Sequence, residues 1–192
     1  GLNELVERLC RIYEEDNTPI VNNDFNYSFQ VMQEYIVYRL ISYERNQRLL
    51  EQVPYLKFMD LAITYHCLVR DDKDGIGTIR ITNEHMKMWN VGLKEIHEHA
   101  AANTRRLFPA VINSMEEVIH GMLKDDEDNT MTSSKLLEGR EERSSNMYIL
   151  TNEKGINGAS CILYPDVLEE FASHLGSDLY IFPSSIHEVI LV

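Results

Sequence analysis

Positive charge is scarce in this sequence. Its 18 Lys and Arg residues stand against 31 Asp and Glu residues, so the 192-residue chain carries a formal net charge of −13 at pH 7. A chain this acidic repels the phosphate backbone of nucleic acids unless a local basic patch outweighs the net charge. The pair Arg105-Arg106 is the nearest approach to such a patch, and it is too small. We therefore expect neither a nucleic acid nor an anionic membrane surface as a partner.

Cysteine and long apolar runs are scarce as well. The three cysteines, Cys10, Cys67 and Cys161, are far apart and lie in apolar surroundings. An odd, scattered set of this kind indicates buried free thiols in a reducing compartment and not a disulfide framework. No apolar run reaches the roughly 18 residues of a transmembrane helix, and the N-terminus lacks the pattern of a signal peptide. We therefore expect a cytoplasmic protein.

The apolar residues that are present, 44% of the chain, suffice for a buried core, and residues 157–192 show the clearest pattern. We predict a strand, a helix and two further strands there, at residues 158–163, 165–175, 179–182 and 187–192. Pro165 takes the first helical position, Leu168 and Phe171 lie on the apolar stripe, and Gly176 ends the helix as a left-handed cap. Because both final strands are too apolar to be solvated on two faces, helices should cover the sheet.

The earlier part of the chain alternates between helical and β-rich segments. Helices are predicted at residues 2–15, 29–33, 47–52, 83–89, 93–107 and 114–123. Strands are predicted at residues 35–43, where a helix is the alternative, and at residues 58–69, 76–81 and 147–150. The strands 58–69 and 76–81 form a hairpin across the polar turn 71–75. Ser114 and Glu117 form a capping box at the start of the helix that follows them.

These elements predict an α+β domain whose mixed or antiparallel sheet carries its helices mainly on one face. Residues 1–124 hold an N-terminal helix, a hairpin and further helices. Residues 125–146 are polar and read as a linker or long surface loop. Residues 147–192 form a C-terminal strand-helix-strand-strand unit that packs on the same core. The chain stops within an apolar run, so we expect the native sequence to continue past Val192.

Several segments of the chain are similar to a known family. They are residues 59–62, 81–85, 103–109, 147–152 and 183–189. In this order they resemble an uncharacterised domain-of-unknown-function family of Clostridia and related gut Firmicutes. A fainter resemblance, through the long helix ending in Arg-x-Leu and the final strand-helix-strand unit, links the chain to a second uncharacterised Firmicutes family. The first resemblance implies a bacterial, intracellular accessory protein with a further N-terminal segment, and it carries over no catalytic residue.

Three residue patterns invite a chemical interpretation that their spacing does not support. The acidic turn 71–75 resembles half of a calcium loop, but Arg70 and Ile81 stand where acidic ligands are needed. Glu95 and His99 are four residues apart on one helix, which gives two metal ligands without a third. His66 and Cys67 are strand neighbours and point to opposite faces, so the imidazole does not activate the thiol. We expect neither a bound metal nor a cofactor.

The strongest site candidate is the turn that contains Ser184, Ser185 and His187. It brings two hydroxyls, an imidazole and the carboxylate of Glu188 together, but the Gly-x-Ser-x-Gly signature of serine hydrolases is missing. The serines can instead bond to backbone groups of the turn. Strand alternation puts His187 on the face of the final strand that packs on helices, so we expect a half-buried, structural imidazole.

Arg105 and Arg106, at the end of the predicted long helix, are the second candidate for ligand binding. Cations at a helix C-terminus stabilise the helix dipole, which is a structural role, and the alternative is anion binding. Our leading hypothesis is a non-catalytic binding or regulatory module that contacts a protein partner or a small ligand. The alternative is a small hydrolase-like enzyme that uses the turn 184–188 with either arginine as an anion clamp. An enzyme requires a concave pocket around an exposed imidazole, whereas a binding module would show a flat apolar patch.

Limited proteolysis tests the predicted linker. We expect the first cleavage between Lys124 and Arg143, because this segment is polar and lacks an apolar stripe. The two fragments should stay associated, since both contribute to one core. Peptide mapping of the first products, with size-exclusion chromatography of the cleaved protein, checks this. A first cut within residues 58–69 would contradict the strand and loop assignments.

Overall fold

The computed structural model describes residues 28–72, 75–125 and 146–192. Its α-helices are α1 (Phe29–Met32), α2 (Gln47–Leu50), α3 (Asn83–Trp89), α4 (Leu93–Leu107), α5 (Met115–Asp125) and α6 (Val167–Leu175). Short 3-10 helices cover Gln33–Tyr35, Glu44–Asn46 and Gly158–Leu163. The strands are β1 (Ile36–Ser42), β2 (Tyr55–Phe58), β3 (Leu61–Asp72), β4 (Gly75–Arg80), β5 (Ala110–Ser114), β6 (Tyr148–Asn152), β7 (Ile181–Pro183) and β8 (Val189–Leu191). None of the helices within these ranges combines the length and hydrophobicity that crossing a membrane requires.

The first sheet is built around the 12-residue strand β3. Strand β1 pairs with it along one side, with Ile36 opposite Cys67 and Ser42 opposite Leu61. Strands β2 and β4 pair with successive parts of its other side, and all of these pairings are antiparallel. Residues 62–68 of β3 are all buried, so other parts of the chain cover both faces of the sheet there. The second sheet is also antiparallel, in the order β5-β6-β8-β7.

The long helix α4 covers the outer edge of β1. Thr104 accepts a hydrogen bond from the Tyr38 amide at 3.0 Å, and Asn103 donates to the Ile36 carbonyl at 3.0 Å. These side chains satisfy backbone groups that an edge strand would otherwise leave unpaired. Both polar side chains are buried, and their hydrogen bonds replace those that a neighbouring strand would make with β1. The edge of the sheet is therefore closed by a helix.

The main core lies between the two sheets. It joins buried residues of β1 and β3, of α4 and of the second sheet, including Tyr65, Ile96 and Leu150. Helix α6 adds Leu168 and Phe171 to this core, as the apolar stripe predicts. The aromatic rings of Phe171 and Tyr148 meet edge to face at 4.9 Å. β5 precedes residues 126–145 and β6 follows them, so their pairing places both parts of the chain in one sheet.

Most predicted elements are confirmed. The α+β class, the antiparallel pairing, the β3–β4 hairpin and the bounds of α3 and α4 agree with the sequence analysis. The capping box of α5 is present, with the Glu117 amide donating to the Ser114 hydroxyl at 3.2 Å. Gly176 has a φ of +69° at the end of α6. The predicted helix at 2–15 lies outside the described residues, as does most of the predicted linker, while the strand β5 was not predicted.

Three local predictions are wrong. The strand expected at 58–69 is interrupted, since Met59 has a φ of +55° and turns the chain back from β2 into β3. The strand expected at 158–163 is a 3-10 helix, Gly158–Leu163, and so the first strand of the C-terminal unit is β6 instead. Pro165 precedes the helix cap Asp166 and does not occupy the first helical position. A short apolar run does not by itself distinguish a strand from a buried helical turn.

Gly158 provides a test of the packing between this 3-10 helix and the second sheet. A methyl group at position 158 would overlap the Thr151 side chain and the backbone of His187 and Asn152. We expect Gly158→Ala to lower the free energy of unfolding by about 1–3 kcal/mol, as overpacked sites do. Urea titration followed by circular dichroism measures the change.

Gly121→Ala is the matched control. Position 121 lies in α5 with nothing within 4 Å of the added carbon. This variant should keep or raise stability, by up to about 1 kcal/mol, because alanine favours a helix over glycine. Equal stability of the two variants would show that the close contact at Gly158 is absent.

Candidate functional site

One face of the first sheet carries a group of cationic and hydroxyl side chains, which we call the arginine face. Side chains alternate between the two faces along each strand, and those that point to this face are Arg39, Thr64, His66, Thr78 and Arg80. Arg39 lies opposite Thr64 on β1 and β3, and His66 lies opposite Arg80 on β3 and β4. The side chains therefore gather on the same face of three neighbouring strands.

Arg39 is the centre of this face. Its guanidinium crosses β3 and donates from Nη2 to the Thr78 hydroxyl at 2.8 Å. The side chain is half-buried, and within the described ranges no carboxylate lies at ion-pair distance from Arg39 or Arg80. Burial, and then the positive charge of Arg80, lower the pKa of Arg39. A guanidinium in this setting keeps its charge without a charged partner from the described chain.

His66 lies under the two arginines and stays neutral. Its side chain is buried, and its Nε2 is 3.4 Å from the Thr64 hydroxyl. Burial, with the positive charges of Arg39 and Arg80, lowers the pKa of His66 to about 3. At neutral pH the imidazole can therefore exchange hydrogen bonds but adds no charge to the face.

The arginine face is bounded at both ends. At one end Lys154 pairs with Asp71 and lies over the Phe108 ring at 5.6 Å. A narrow cleft at that end is lined by Arg39 and by Asn152, Asn157 and other residues, with space for about one water molecule. The other end carries aromatic side chains and Lys57, whose Nζ lies 4.4 Å from the centre of the Tyr43 ring. The end at Lys154 therefore leaves little room for the body of a ligand.

The turn predicted as a site forms hydrogen bonds within itself. The Ser184 hydroxyl donates to Glu188 at 3.1 Å, and the Ser185 hydroxyl accepts from the His187 amide at 3.0 Å. The His187 ring is held by the backbone, since its Nδ1 accepts from the Asn157 amide at 3.1 Å. The expected half-burial is wrong, because His187 is exposed beyond the end of β8.

Arg105 and Arg106 do not join this turn. Both are exposed, and Arg106 donates to the Glu34 carbonyl at 2.8 Å and to Asn103 at 3.1 Å. This contact ties the end of α4 to the segment before β1, which is a structural role. In the described part of the chain no hydrogen bond or ion pair connects either arginine with Ser184 or His187.

Large apolar side chains surround the turn. Tyr180, Phe182 and Ile186 are 70%, 51% and 54% exposed. An exposed apolar surface of this kind is the feature that we expect of a binding module. The imidazole of His187 is itself exposed beside it.

The other candidate patterns are structural in the described residues. Cys67 is buried beside Met32, and burial raises the pKa of its thiol to about 12. Cys161 is also a buried free thiol, with a pKa raised to about 11, while Cys10 lies outside the described residues. In the calcium-like segment, Asp72 is the last residue of β3 and pairs with Gly75, the first residue of β4. Within the described ranges, no group of three or more His, Cys, Asp or Glu side chains is arranged to hold a metal ion.

Sequence reasoning missed the arginine face. Arg39 stands within an apolar strand, where a charged residue is uncommon, and that was the available signal. Arg39 is about 40 residues away from Thr78 and Arg80 in the chain, so only the order of the strands brings it next to them. An alternation pattern predicts which face a residue occupies, but it does not predict which strand lies beside it.

Comparison with known proteins places the chain in a family without assigning an activity. The chain belongs to a family of unknown function, DUF5688, whose sequence model matches residues 1–192. The resemblance to a domain-of-unknown-function family is thus confirmed at the level of the family. No curated protein and no solved structure matches the chain.

The buried neutral His66 predicts a pH dependence of stability. Its folded pKa of about 3 lies below the ordinary 6.5, so the unfolded chain binds more protons between these values and stability falls as pH falls below 6.5. From pH 8 to pH 5.5 this contributes a loss of about 1.5 kcal/mol. In His66→Gln the loss should be smaller by that amount. Urea titrations of parent and variant at both pH values check this, and equal losses would show that His66 is protonated in the folded state.

Proposed function

We propose that this member of DUF5688 is a non-catalytic binding module that holds a small anionic ligand on the arginine face. Arg39 and Arg80 would bind the anion, and the Thr78 hydroxyl would give an additional hydrogen bond. The observation that carries the proposal is the half-buried guanidinium of Arg39, which hydrogen-bonds to a hydroxyl and has no carboxylate partner in the described residues.

The energetics of burial support an anion at this place. Removing a cation from water costs several kcal/mol unless an opposite charge or hydrogen bonds replace the lost hydration. One hydrogen bond from Nη2 to Thr78 replaces only part of the five donors that a guanidinium carries. An anion between Arg39 and Arg80 would satisfy further donors and would offset the repulsion between the two charges.

The charge distribution supports a small ligand over a large acidic partner. The chain is strongly acidic, yet two arginines, one of them half-buried, gather on this face. The net charge of −13 repels an extended polyanion or an acidic protein, whereas a ligand with one or two charges experiences mainly the local field. A small anion therefore fits this face better than a macromolecular one.

The residues also favour binding over catalysis. Burial keeps the Cys67 thiol protonated, since its pKa is raised to about 12, and inert as a nucleophile. Ser184 donates its hydrogen bond to Glu188, and in the described residues no hydrogen bond joins a serine of this turn to the His187 ring. The proposal includes the bacterial cytoplasm expected from the sequence, a compartment that would keep the buried Cys67 and Cys161 reduced.

Calorimetric titration with inorganic phosphate tests the proposal. We expect saturable binding to the parent protein at low ionic strength and a Kd at least tenfold weaker for Arg39→Gln. Thermal unfolding gives a second readout, because a ligand at about 100 times its Kd stabilises the folded state by about 2.7 kcal/mol. Phosphate should therefore raise the Tm of the parent and leave the Tm of Arg39→Gln almost unchanged.

Arg48→Gln is the matched control. Arg48 is an exposed arginine of α2 outside the arginine face, so its loss removes the same charge without removing a ligand contact. This variant should bind phosphate as the parent does, within about a factor of two at low salt. Equal weakening by both substitutions, or no saturable binding to the parent, would contradict the proposal.

A further inference from the structure

We propose that the ligand of the arginine face is a mononucleotide, with its phosphate on Arg39 and Arg80 and its base against Tyr55. This inference rests on the proposed function and specifies its ligand. A bound nucleotide needs space to extend away from the arginines, and it needs a surface against which its planar base can pack. The two ends of the arginine face differ in the space and in the surface that they offer.

The end near Phe108 is closed to a ligand body. Lys154 lies over the Phe108 ring, pairs with Asp71, and borders a cleft with space for about one water molecule. In contrast, Arg80, opposite His66 in the middle of the face, and Lys57, opposite Ala62 at the other end, are both exposed. A phosphate bound at the half-buried Arg39 would therefore extend past Arg80, and the rest of the ligand would lie over β2.

The strand pairing places an aromatic side chain within reach in that direction. Arg80 lies opposite His66, and Tyr55 lies opposite Thr64, on the same side of β3. His66 and Thr64 are two residues apart in one strand, a spacing of about 7 Å. Along β3, the Arg80 backbone therefore lies one two-residue step from Tyr55, and the Thr78 hydroxyl that Arg39 reaches lies opposite Leu68, one step further on. A ligand with its phosphate at Arg80 and its base over β2 needs no more than the length of one nucleotide.

Tyr55 belongs to a surface that suits a planar, electron-rich ring. Its ring lies 6.0 Å from the ring of Tyr43, with an angle of 49° between them. Lys57 places its ammonium group 4.4 Å from the centre of the Tyr43 ring. Tyr43 and Tyr55 are partly exposed, and their other contacts are with Leu50, Val53 and Ala62, which fix them against the sheet. Aromatic rings next to cations are the elements with which proteins hold bases and phosphates together.

The net charge limits the ligand to a single nucleotide. Each added phosphate of a polymer would bring more negative charge towards a chain of net charge −13. On the described part of this surface, the cations of the arginine face and Lys57 offset this charge. They are too few to bind the phosphate backbone of a nucleic acid many nucleotides long. A mononucleotide uses the local cations and the tyrosines without this repulsion.

Three probes of increasing size separate the contributions. We would titrate the parent with inorganic phosphate, ribose 5-phosphate and adenosine monophosphate by calorimetry. Phosphate and ribose 5-phosphate should bind with similar Kd values, and the nucleotide should bind roughly tenfold more tightly, in the range that base stacking on an aromatic ring gives. Tyr55→Leu should remove this tenfold gain and leave phosphate binding unchanged. Tyr180→Leu, a change at an exposed tyrosine of the second sheet, should leave all three Kd values unchanged.

The outcomes separate this inference from the proposed function. If phosphate binds and depends on Arg39 but the nucleotide binds no more tightly, the ligand is a different phosphate and the inference is wrong. A tenfold gain that persists in Tyr55→Leu would likewise overturn the placement of the base. If single-stranded oligonucleotides bind more tightly per site than the mononucleotide, the ligand is a polymer. Absence of binding by all three probes would overturn the proposed function itself.

Discussion

The hydroxyl group of Thr104 makes the contact on which most of this structure depends. It accepts from the Tyr38 amide at 3.0 Å and donates to the Ala100 carbonyl at 2.6 Å, so one buried side chain joins the edge of β1 to the interior of α4. Asn103, the preceding residue, binds the Gln33 and Ile36 carbonyls at 2.7 and 3.0 Å. A buried, unpaired backbone group costs about 1–3 kcal/mol, so the helix has one favourable position along the strand.

That position determines where the second sheet lies. Helix α4 ends at Leu107, where the Tyr164 hydroxyl donates to the Phe108 carbonyl at 2.8 Å and lies 3.2 Å from the Thr104 carbonyl, which also accepts from the Phe108 amide. The segment after β6 is held against the first sheet by the pairing of Lys154 with Asp71. The two sheets thus share a core that α4 and the 3-10 helix Gly158–Leu163 enclose.

The arginine face differs from the rest of the structure in how its polar and charged groups are paired. Polar groups in the core have partners, and no buried side-chain nitrogen or oxygen in the described residues lacks a hydrogen bond. Arg39 follows that rule through Thr78, but no carboxylate among the described residues matches its charge. Natural sequences retain such local conflicts mainly where function requires them, and the anionic ligand that we propose would supply the missing charge.

Sequence alone determined the helices with long apolar stripes, the caps at Ser114 and Gly176, and the α+β class, because these depend on neighbours within a few residues. Only the tertiary structure decided that residues 158–163 form a helical turn, since Gly158 must fit against Thr151 and the His187 backbone. The same holds for the arginine face. The alternation of β1 predicts that Arg39 shares a face with Val37, but the order β1-β3-β4 brings it to Thr78 and Arg80. Strand order results from the packing of the whole core, and residues 40 positions apart carry no local signal of it.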